Sequence, residues 1–146
     1  MDAVIETRRA LAAKYAAKYG ISTELVCAVI EQESGWCQWA YRYEPKFYDH
    51  YILPLQVSEQ VGRFRATSWG LMQLMGQTAR EFGFLGQFMC ELCDPDVGLD
   101  YGCKKLKQCL DDAGGDEAKA LLKWNGGSNL DYPHQVLARK AKYENG

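Results

Sequence analysis

The sequence has no large excess of charge of either sign and no long hydrophobic run. Its 146 residues carry 17 lysine and arginine side chains against 19 aspartate and glutamate side chains, a formal net charge of −2. So small a net charge supplies no field that would draw in nucleic acid or an anionic membrane. No apolar stretch approaches the roughly 18 residues of a transmembrane helix. The sequence therefore predicts no nucleic-acid partner and no membrane insertion.

A secretory signal is also missing from the first residues. The chain starts Met1-Asp2-Ala3 and shows no basic, then apolar, then small-residue pattern. We therefore expect a soluble protein that is made in the cytoplasm. With 47% apolar and 12% aromatic residues, the chain can bury one core and not two. We predict a single domain over residues 1–146 that is monomeric.

Metal-ligating patterns are sparse. There are two histidines, and Cys90-x-x-Cys93 is followed by neither a second Cys-x-x-Cys nor a closely spaced histidine pair. A zinc site is therefore a minor alternative, and we predict no metal and no cofactor. Of the six cysteines we expect mostly reduced thiols. Three of them occupy apolar positions of predicted helices and are expected in the core: Cys27, Cys103 and Cys109.

Helical periodicity dominates the chain. The predicted helices cover residues 4–19, 22–34, 78–82, 95–112 and 116–124, and a last one follows Pro133. No convincing strand pair or internal repeat is present, so the predicted fold class is mainly α. Residues 36–69 form an aromatic-rich excursion that two prolines interrupt. So long a connection in a small domain is either functional or a sign of elements that the pattern does not reveal.

Glu33 is the first candidate for chemistry. It shares a helix face with Val26, Val29 and Ile30, and Gly35 ends that helix. Desolvation disfavours the ionised form of a carboxyl group, which suits a general acid that works near neutral pH. Glutamate is common on helices, however, so Glu33 taken alone would more often be structural.

Four blocks carry a resemblance to a known family. They are Glu33-Ser34, Gly70-Leu71-Met72-Gln73, Trp124-Asn125-Gly126-Gly127 and Tyr132-Pro133. Their order and spacing resemble the catalytic domain of soluble lytic transglycosylases, lysozyme-like enzymes related to goose-type lysozymes that cut peptidoglycan. The resemblance spans about residues 20 to 140 and implies a lysozyme-like α-helical domain. A compact chain of this kind is most similar to a phage or prophage endolysin, which acts on the bacterial cell wall after release or delivery.

The resemblance implies roles for particular residues. Glu33 would be general acid and base in cleaving the β-1,4 bond between N-acetylmuramic acid and N-acetylglucosamine, giving 1,6-anhydro products. A second carboxylate is not needed, because the N-acetyl group of the substrate can assist. Peptidoglycan glycan strands are thus the expected partner. The expected substrate-binding residues are Gln73, Met72, Asn125, Tyr132, Tyr43, Trp69 and Trp124.

The sequence departs from the family pattern at two places. Trp124 stands where the family commonly has tyrosine, and an indole nitrogen only donates hydrogen bonds, so Tyr132 would have to compensate. The 40 residues from Glu33 to Gln73 also exceed the usual spacing. Within this excess Glu44 is a second catalytic candidate, with Asp49 or Glu59 less favoured. An inverting lysozyme would use such a carboxylate as a base toward water, about 6.5–9.5 Å from the acid.

Other interpretations remain open at this point. The chain could be a module with the same lysozyme-like fold that binds peptidoglycan without cutting it. It could also be a small adaptor stabilised by a metal ion bound to its cysteines. The aromatic side chains of the excursion could line a sugar-binding groove, because sugar rings pack on aromatic faces. The candidates for such a groove are Trp36, Trp39, Tyr43, Tyr48 and Trp69, and more of them are expected in the core than in the groove.

Overall fold

The computed structural model describes residues 2–145 and is mainly helical, as the sequence predicts. Its α-helices in chain order are α1 (Ala3–Tyr19), α2 (Thr23–Ser34), α3 (Pro45–Phe47), α4 (Glu59–Arg65), α5 (Gly76–Glu81), α6 (Pro95–Asp112), α7 (Glu117–Trp124) and α8 (Tyr132–Glu144). The five longest pack on one another: α1, α2, α6, α7 and α8. They build the larger part of the molecule.

Local capping signals explain where these helices begin and end. The side chains of Ser22, Asp94 and Asp116 each accept a hydrogen bond from a first-turn amide of the helix that follows. Gly20 and Gly35 close α1 and α2 in the left-handed conformation, with φ of 66° and 56°. The predicted helices are therefore confirmed, with bounds that move by one or two residues.

The expectation that no strand pair exists is wrong. Three short antiparallel strands form a sheet in the order β1 (Tyr41–Tyr43), β2 (Thr67–Trp69) and β3 (Leu74–Met75). Strands of two or three residues are too short to show a period of two in the sequence. The predicted excursion therefore consists largely of short elements, which also include a π-helical turn at Tyr48–Ile52 and a 3₁₀ turn at Leu53–Leu55.

Two hydrophobic clusters fill the interior. The larger lies among the five long helices and contains fully buried side chains such as Leu25, Ile30, Leu99 and Leu121. The smaller lies against the sheet and is made of Trp69, Leu74, Ala79, Phe84, Met89, Leu92 and Cys93. The end of α2 and the sheet therefore belong to different packing units, and residues from both line one cleft.

Glycines bring α6 close to the segment between β2 and β3. A Cβ on Gly102 would lie 2.5 Å from the Met72 sulfur, and one on Gly98 would lie 2.4 Å from the Leu92 carbonyl oxygen. Gly70 has a φ of 74°, and its Cβ would lie 2.4 Å from the same oxygen. Real Cβ atoms do not approach a backbone atom so closely, so Gly70 and Gly98 require glycine, whereas a side chain at Gly102 would displace the Met72 side chain. Gly98 and Gly102 therefore allow Leu92 and Met72 to pack directly against α6.

The cysteines are unbonded in the structure. Cys27, Cys103 and Cys109 are buried, as predicted, and burial raises the pKa of Cys27 to about 11 and of Cys103 to about 12. Within residues 2–145 no group of three or more His, Cys, Asp or Glu side chains is placed to hold a metal ion. No helix in the same residues is both long and apolar enough to cross a membrane.

Candidate active site

Glu33 lies in the last turn of α2, immediately before a junction that fixes the end of the helix. The Ser34 hydroxyl donates a hydrogen bond of 2.8 Å to the Leu71 carbonyl and lies 3.1 Å from the Ile30 carbonyl. Ser34 thus ties the end of α2 to the turn between β2 and β3. This contact explains why the Glu33-Ser34 pair and the Gly70–Gln73 block belong to one site.

Two aromatic side chains hold one oxygen of Glu33. The Trp124 indole nitrogen donates to Oε1 at 3.0 Å, and the Tyr132 hydroxyl donates to the same oxygen at 2.5 Å. Both donors are nearly buried, with 6% and 4% of their surface exposed. Burial and the neighbouring Glu33 raise the pKa of Tyr132 well above its usual value, so the phenol keeps its proton and donates.

The second oxygen of Glu33 is left for a ligand. Within residues 2–145 the hydrogen bonds to this carboxyl end on Oε1, and the side chain lines a cleft of about 610 Å³. The helical side of the cleft is formed by Lys105, Trp124, Asn125, Gly126 and Ser128. The opposite side comes from the excursion, the sheet and α5: Arg42, Glu44, Phe47, Tyr51, Ser68, Gln73, Met75 and Thr78.

Gln73 lines the cleft, but its amide nitrogen is already used. The backbone at Gln73 has a φ of 50°, and Nε2 donates hydrogen bonds of 3.0 Å to the Ala40 and Gly70 carbonyls. The side-chain carbonyl is therefore the polar atom that Gln73 can offer to a ligand. Its place in the turn also fixes the sheet next to Glu33.

Asn125 lies at the end of a helix and beside the cleft. It ends α7, and its Nδ2 donates to the Asn129 carbonyl at 3.3 Å, which holds the loop before α8. It also lines the cleft. Capping a helix and facing a ligand are thus compatible at this position.

Three predicted substrate-binding residues lie elsewhere. Met72 is 1% exposed and packs in the larger hydrophobic cluster, whereas Met75 lines the cleft. Trp69 belongs to the smaller cluster, and its indole nitrogen donates to the Phe64 carbonyl at 3.1 Å. Tyr43 contacts the Tyr48 ring, with 6.3 Å between centroids, and does not line the cleft.

Glu44 lines the same cleft as Glu33. Its Oε1 forms an ion pair with the Arg42 guanidinium, whose Nε lies 2.8 Å away and which is largely exposed. The other carboxylates of the excursion lie away from the cleft: Asp49 is exposed, and Glu59 pairs with Arg63 at 3.0 Å. Among these carboxylates Glu44 alone therefore faces the site.

Sequence reasoning missed Lys105. Its ammonium nitrogen lies 4.3 Å from the centre of the Trp124 ring and donates to the Trp124 carbonyl at 3.2 Å. Burial lowers the pKa of Lys105, and the electrostatic effects of Cys109 and Glu33 oppose that shift. The sequence contained a signal for this position. Lys105 follows Gly102 by three residues and precedes Cys109 by four, so it lies on the same helix face as these two residues.

Two aromatic residues of the cleft were also missed, Phe47 and Tyr51. Their ring centres lie 4.9 Å apart, on the short helical turns of the excursion. Both rings face the cleft, where flat C–H surfaces of a sugar could pack on them. The sequence showed many aromatics in this region, but not which of them the turns would expose.

Comparison with protein families gives a match over most of the chain. The chain matches the family model of the transglycosylase SLT domain over residues 10–144, which is nearly its whole length. No solved structure matches the chain. Members of the family are lytic transglycosylases that cleave glycosidic bonds of peptidoglycan, so the site of action is the cell wall. The chain therefore belongs to the transglycosylase SLT domain family and is a peptidoglycan lytic enzyme.

Proposed function

We propose that the protein cleaves the β-1,4 bond between N-acetylmuramic acid and N-acetylglucosamine, with Glu33 as general acid and then general base. The observation that carries this proposal is the way in which the Glu33 carboxyl group is held in the cleft. One oxygen is held by Trp124 and Tyr132, while the group faces a large cleft. A carboxyl fixed on one oxygen presents the other in a constant direction.

In the first step Glu33 gives its proton to the glycosidic oxygen. The bond from that oxygen to C1 of the muramoyl sugar breaks through an oxocarbenium-like transition state. The N-acetyl oxygen of the same sugar then bonds to C1, and Glu33 is left as a carboxylate. The two donors to Oε1 stabilise this charge, because hydrogen bonds to an ionised acceptor are stronger than those to a neutral one.

In the second step the Glu33 carboxylate takes the proton of the 6-hydroxyl group of the muramoyl sugar. The oxygen of that 6-hydroxyl group bonds to C1 as the bond from C1 to the N-acetyl oxygen breaks, which gives the 1,6-anhydro product. Glu33 is protonated again and no water is consumed. Tyr132 supplies the phenol that Trp124 cannot supply.

A hydrolytic outcome is the second candidate, because Glu44 lines the same cleft. Here Glu44 would take a proton from water that attacks C1, and the product would carry a reducing end. The ion pair with Arg42 opposes this role, because it occupies one oxygen of Glu44. The anhydro product is therefore the favoured outcome.

Mass spectrometry of released muropeptides tests the proposal. We expect products lighter by one water than those of a hydrolase, and Glu33→Gln should abolish their release while the protein stays folded. Glu24→Gln, on the first turn of the same helix, is the matched control and should keep activity. Retained lysis in Glu33→Gln would refute the role of Glu33. Reducing ends that disappear in Glu44→Gln would favour the hydrolase, and binding to walls without any released product would favour a non-catalytic module.

We also propose that the chain works as a single-domain monomer of the phage endolysin type. In support of one domain, the larger hydrophobic cluster joins α1 to α8. The expected mass in solution is that of one chain, measured by light scattering. Bacteria that express the protein should lyse only after their inner membrane is permeabilised, and lysis without permeabilisation would contradict this mode of delivery.

A further inference from the structure

Trp36 lies just beyond the end of α2, three residues after Glu33, in a backbone conformation that few large residues adopt. Its φ is 68°, and it follows Gly35, whose φ of 56° ends the helix. A bulky side chain at positive φ is a rare outlier that costs free energy. Such strain persists only where the surrounding structure holds the residue in place, and it is concentrated at functional sites.

Two distant segments of the chain hold Trp36. Its indole nitrogen donates a hydrogen bond of 3.1 Å to the Tyr143 hydroxyl near the end of α8, and the two rings meet edge to face with 6.4 Å between their centroids. The Arg8 guanidinium on α1 donates to the Trp36 carbonyl and, at 2.7 Å, to the Gln38 side chain. Trp36 is buried, with 6% of its surface exposed. The helices α1 and α8 thus fix both its backbone and its side chain.

Tyr143 is itself held by charged groups. Its hydroxyl donates at 2.8 Å to one oxygen of Glu31, and Arg139 pairs with the other oxygen at 2.7 Å. Burial and the hydrogen bond to Glu31 raise the pKa of Tyr143 to about 12, so the phenol stays protonated near neutral pH. Glu31 lies on α2, two residues before Glu33. The end of α8 is therefore tied to the end of α2 through residues that lie outside the lining of the cleft.

The turn that carries Gln73 is bound by residues on both sides of Trp36. Two positions before Trp36, the Ser34 hydroxyl donates at 2.8 Å to a carbonyl of this turn. Four positions after it, the Ala40 carbonyl accepts a hydrogen bond of 3.0 Å from the Gln73 side chain. The conformation of Trp36 sets the path of the chain between these two anchors. A change at Trp36 would therefore move Ser34 and the adjacent Glu33 relative to Gln73.

We propose that Trp36 is a positioning residue that fixes where Glu33 and Gln73 lie relative to each other in the cleft. The Tyr143 hydroxyl locks it in the conformation that does so. The proposal rests on the proposed function, because its consequence is felt in proton transfer by Glu33. A general acid must lie within hydrogen-bond reach of the atom that it protonates, and a displacement of about 1 Å can lower the rate about 100-fold. The strained residue thus serves the reaction without touching the substrate.

Tyr143→Phe keeps the ring and removes the hydroxyl that Trp36 binds. We expect kcat on soluble glycan to fall about tenfold with KM within about twofold of the parent, because the orientation of Glu33 is affected rather than the binding of glycan. Tyr19→Phe is the matched control. It also removes a hydroxyl that donates to a carboxylate, that of Asp100, but it has no link to Trp36 and should keep the kcat of the parent. Glu33→Gln should abolish cleavage, so failure of the proposed function is recognised separately.

Trp36→Phe tests the same link from the other side, because it removes the indole donor and keeps an aromatic ring. It should also lower kcat about tenfold, and the double variant with Tyr143→Phe should fall no further than either single variant, since all three lack the same hydrogen bond. Circular dichroism and urea unfolding check that each variant is folded in the assay. Unchanged kcat in Tyr143→Phe, an equal fall in Tyr19→Phe, an increase in KM at constant kcat, or a double variant as low as the product of the two single effects would each overturn the proposal.

Discussion

Trp124 links a partly buried cation to the proposed general acid. Its indole nitrogen donates to Glu33, while the Lys105 ammonium lies over the ring and donates to the Trp124 carbonyl. A cation over the face of tryptophan is attracted by the ring, the more so where water is excluded. Lys105 therefore holds both the ring and the backbone of the residue that orients Glu33, and it acts as a positioning residue.

Replacing Lys105 by methionine keeps the length of the side chain and removes its charge. We expect kcat to fall about tenfold with little change in KM, because the loss affects the orientation of Glu33 more than the binding of glycan. Lys105→Arg should recover most of the activity, since a guanidinium group also stacks on an indole and donates hydrogen bonds. An increase in KM with kcat unchanged would instead indicate direct contact with substrate.

Trp124→Phe and Tyr132→Phe each remove one donor to Oε1 of Glu33. A hydrogen bond to a charged group contributes about 1.5–3 kcal/mol, so kcat should fall about 10- to 100-fold in each variant. The double variant should lose less than the product of the two, because both donors serve the same oxygen. Steady-state kinetics on soluble glycan gives these values. Unchanged kcat in both variants would rule out a role for the donors in the reaction.

At the scale of elements, α1 and α6 are joined by two matching sets of contacts. Tyr15 and Tyr19 donate hydrogen bonds of 2.6 Å to Asp96 and Asp100, one helical turn apart on both helices. A lysine pairs with each carboxylate, Lys14 with Asp96 at 2.9 Å and Lys18 with Asp100 at 2.7 Å. Lys14 and Lys18 on α1 thus help to hold α6.

Because of these contacts we expect the stability of the folded protein to depend on pH in the acidic range. The hydrogen bond from Tyr15, and then that from Lys14, lowers the pKa of Asp96. Burial opposes the shift at Asp100, but the lysine and tyrosine partners still lower its pKa. A carboxyl whose pKa is lower in the folded state adds stability above its unfolded pKa of about 4 and loses it as the pH falls.

The variants Asp96→Asn and Asp100→Asn should be less stable than the parent at pH 7. They should also lose less stability than the parent between about pH 4 and pH 2. Urea unfolding at a series of pH values measures both effects. Asp49→Asn, on an exposed turn, is the control and should follow the parent. Parallel pH curves for parent and variants would contradict the prediction.

Local signals made the long helices predictable, and distant contacts made the sheet unpredictable. Ser22 and Asp94 lie directly before the helices that they cap, so these helix starts are recognisable from a few neighbouring residues. In contrast, Tyr43 pairs with Thr67 across 24 positions of the chain, and neither strand is long enough to show a pattern. The blocks around Glu33 were likewise visible as ordered motifs. The role of Lys105 was not, because it depends on how α6 packs against α7.

At the scale of the whole molecule, two hydrophobic clusters flank the cleft. The helical cluster supports Glu33 and Trp124, and the cluster behind the sheet supports the turn that carries Gln73. Phe47 and Tyr51 face the cleft from the excursion. A glycan in the cleft would therefore contact both packing units and stabilise them together.

Thermal unfolding of Glu33→Gln with chitotetraose tests this coupling. At a sugar concentration ten times Kd, binding should add about 1.4 kcal/mol of stability and raise Tm by about 3–6 °C. Cellotetraose, which lacks N-acetyl groups, should have a smaller effect. Tyr51→Ala should weaken the shift, and Leu85→Ala, at a highly exposed site outside the cleft, should not. An unchanged Tm at saturating sugar would show that glycan does not bind across the cleft.

The two donors to Glu33 stand 91 and 99 residues away from it along the chain. Contacts between such distant segments close large loops, and the entropy of closure makes them form late during folding. A chain that has formed its helices but has not yet brought α7 and α8 against α2 would have native secondary structure and a misdirected carboxyl group. Recovery of lytic activity after dilution from denaturant should therefore lag behind recovery of helical circular dichroism, which makes catalysis a reporter of the last stage of folding.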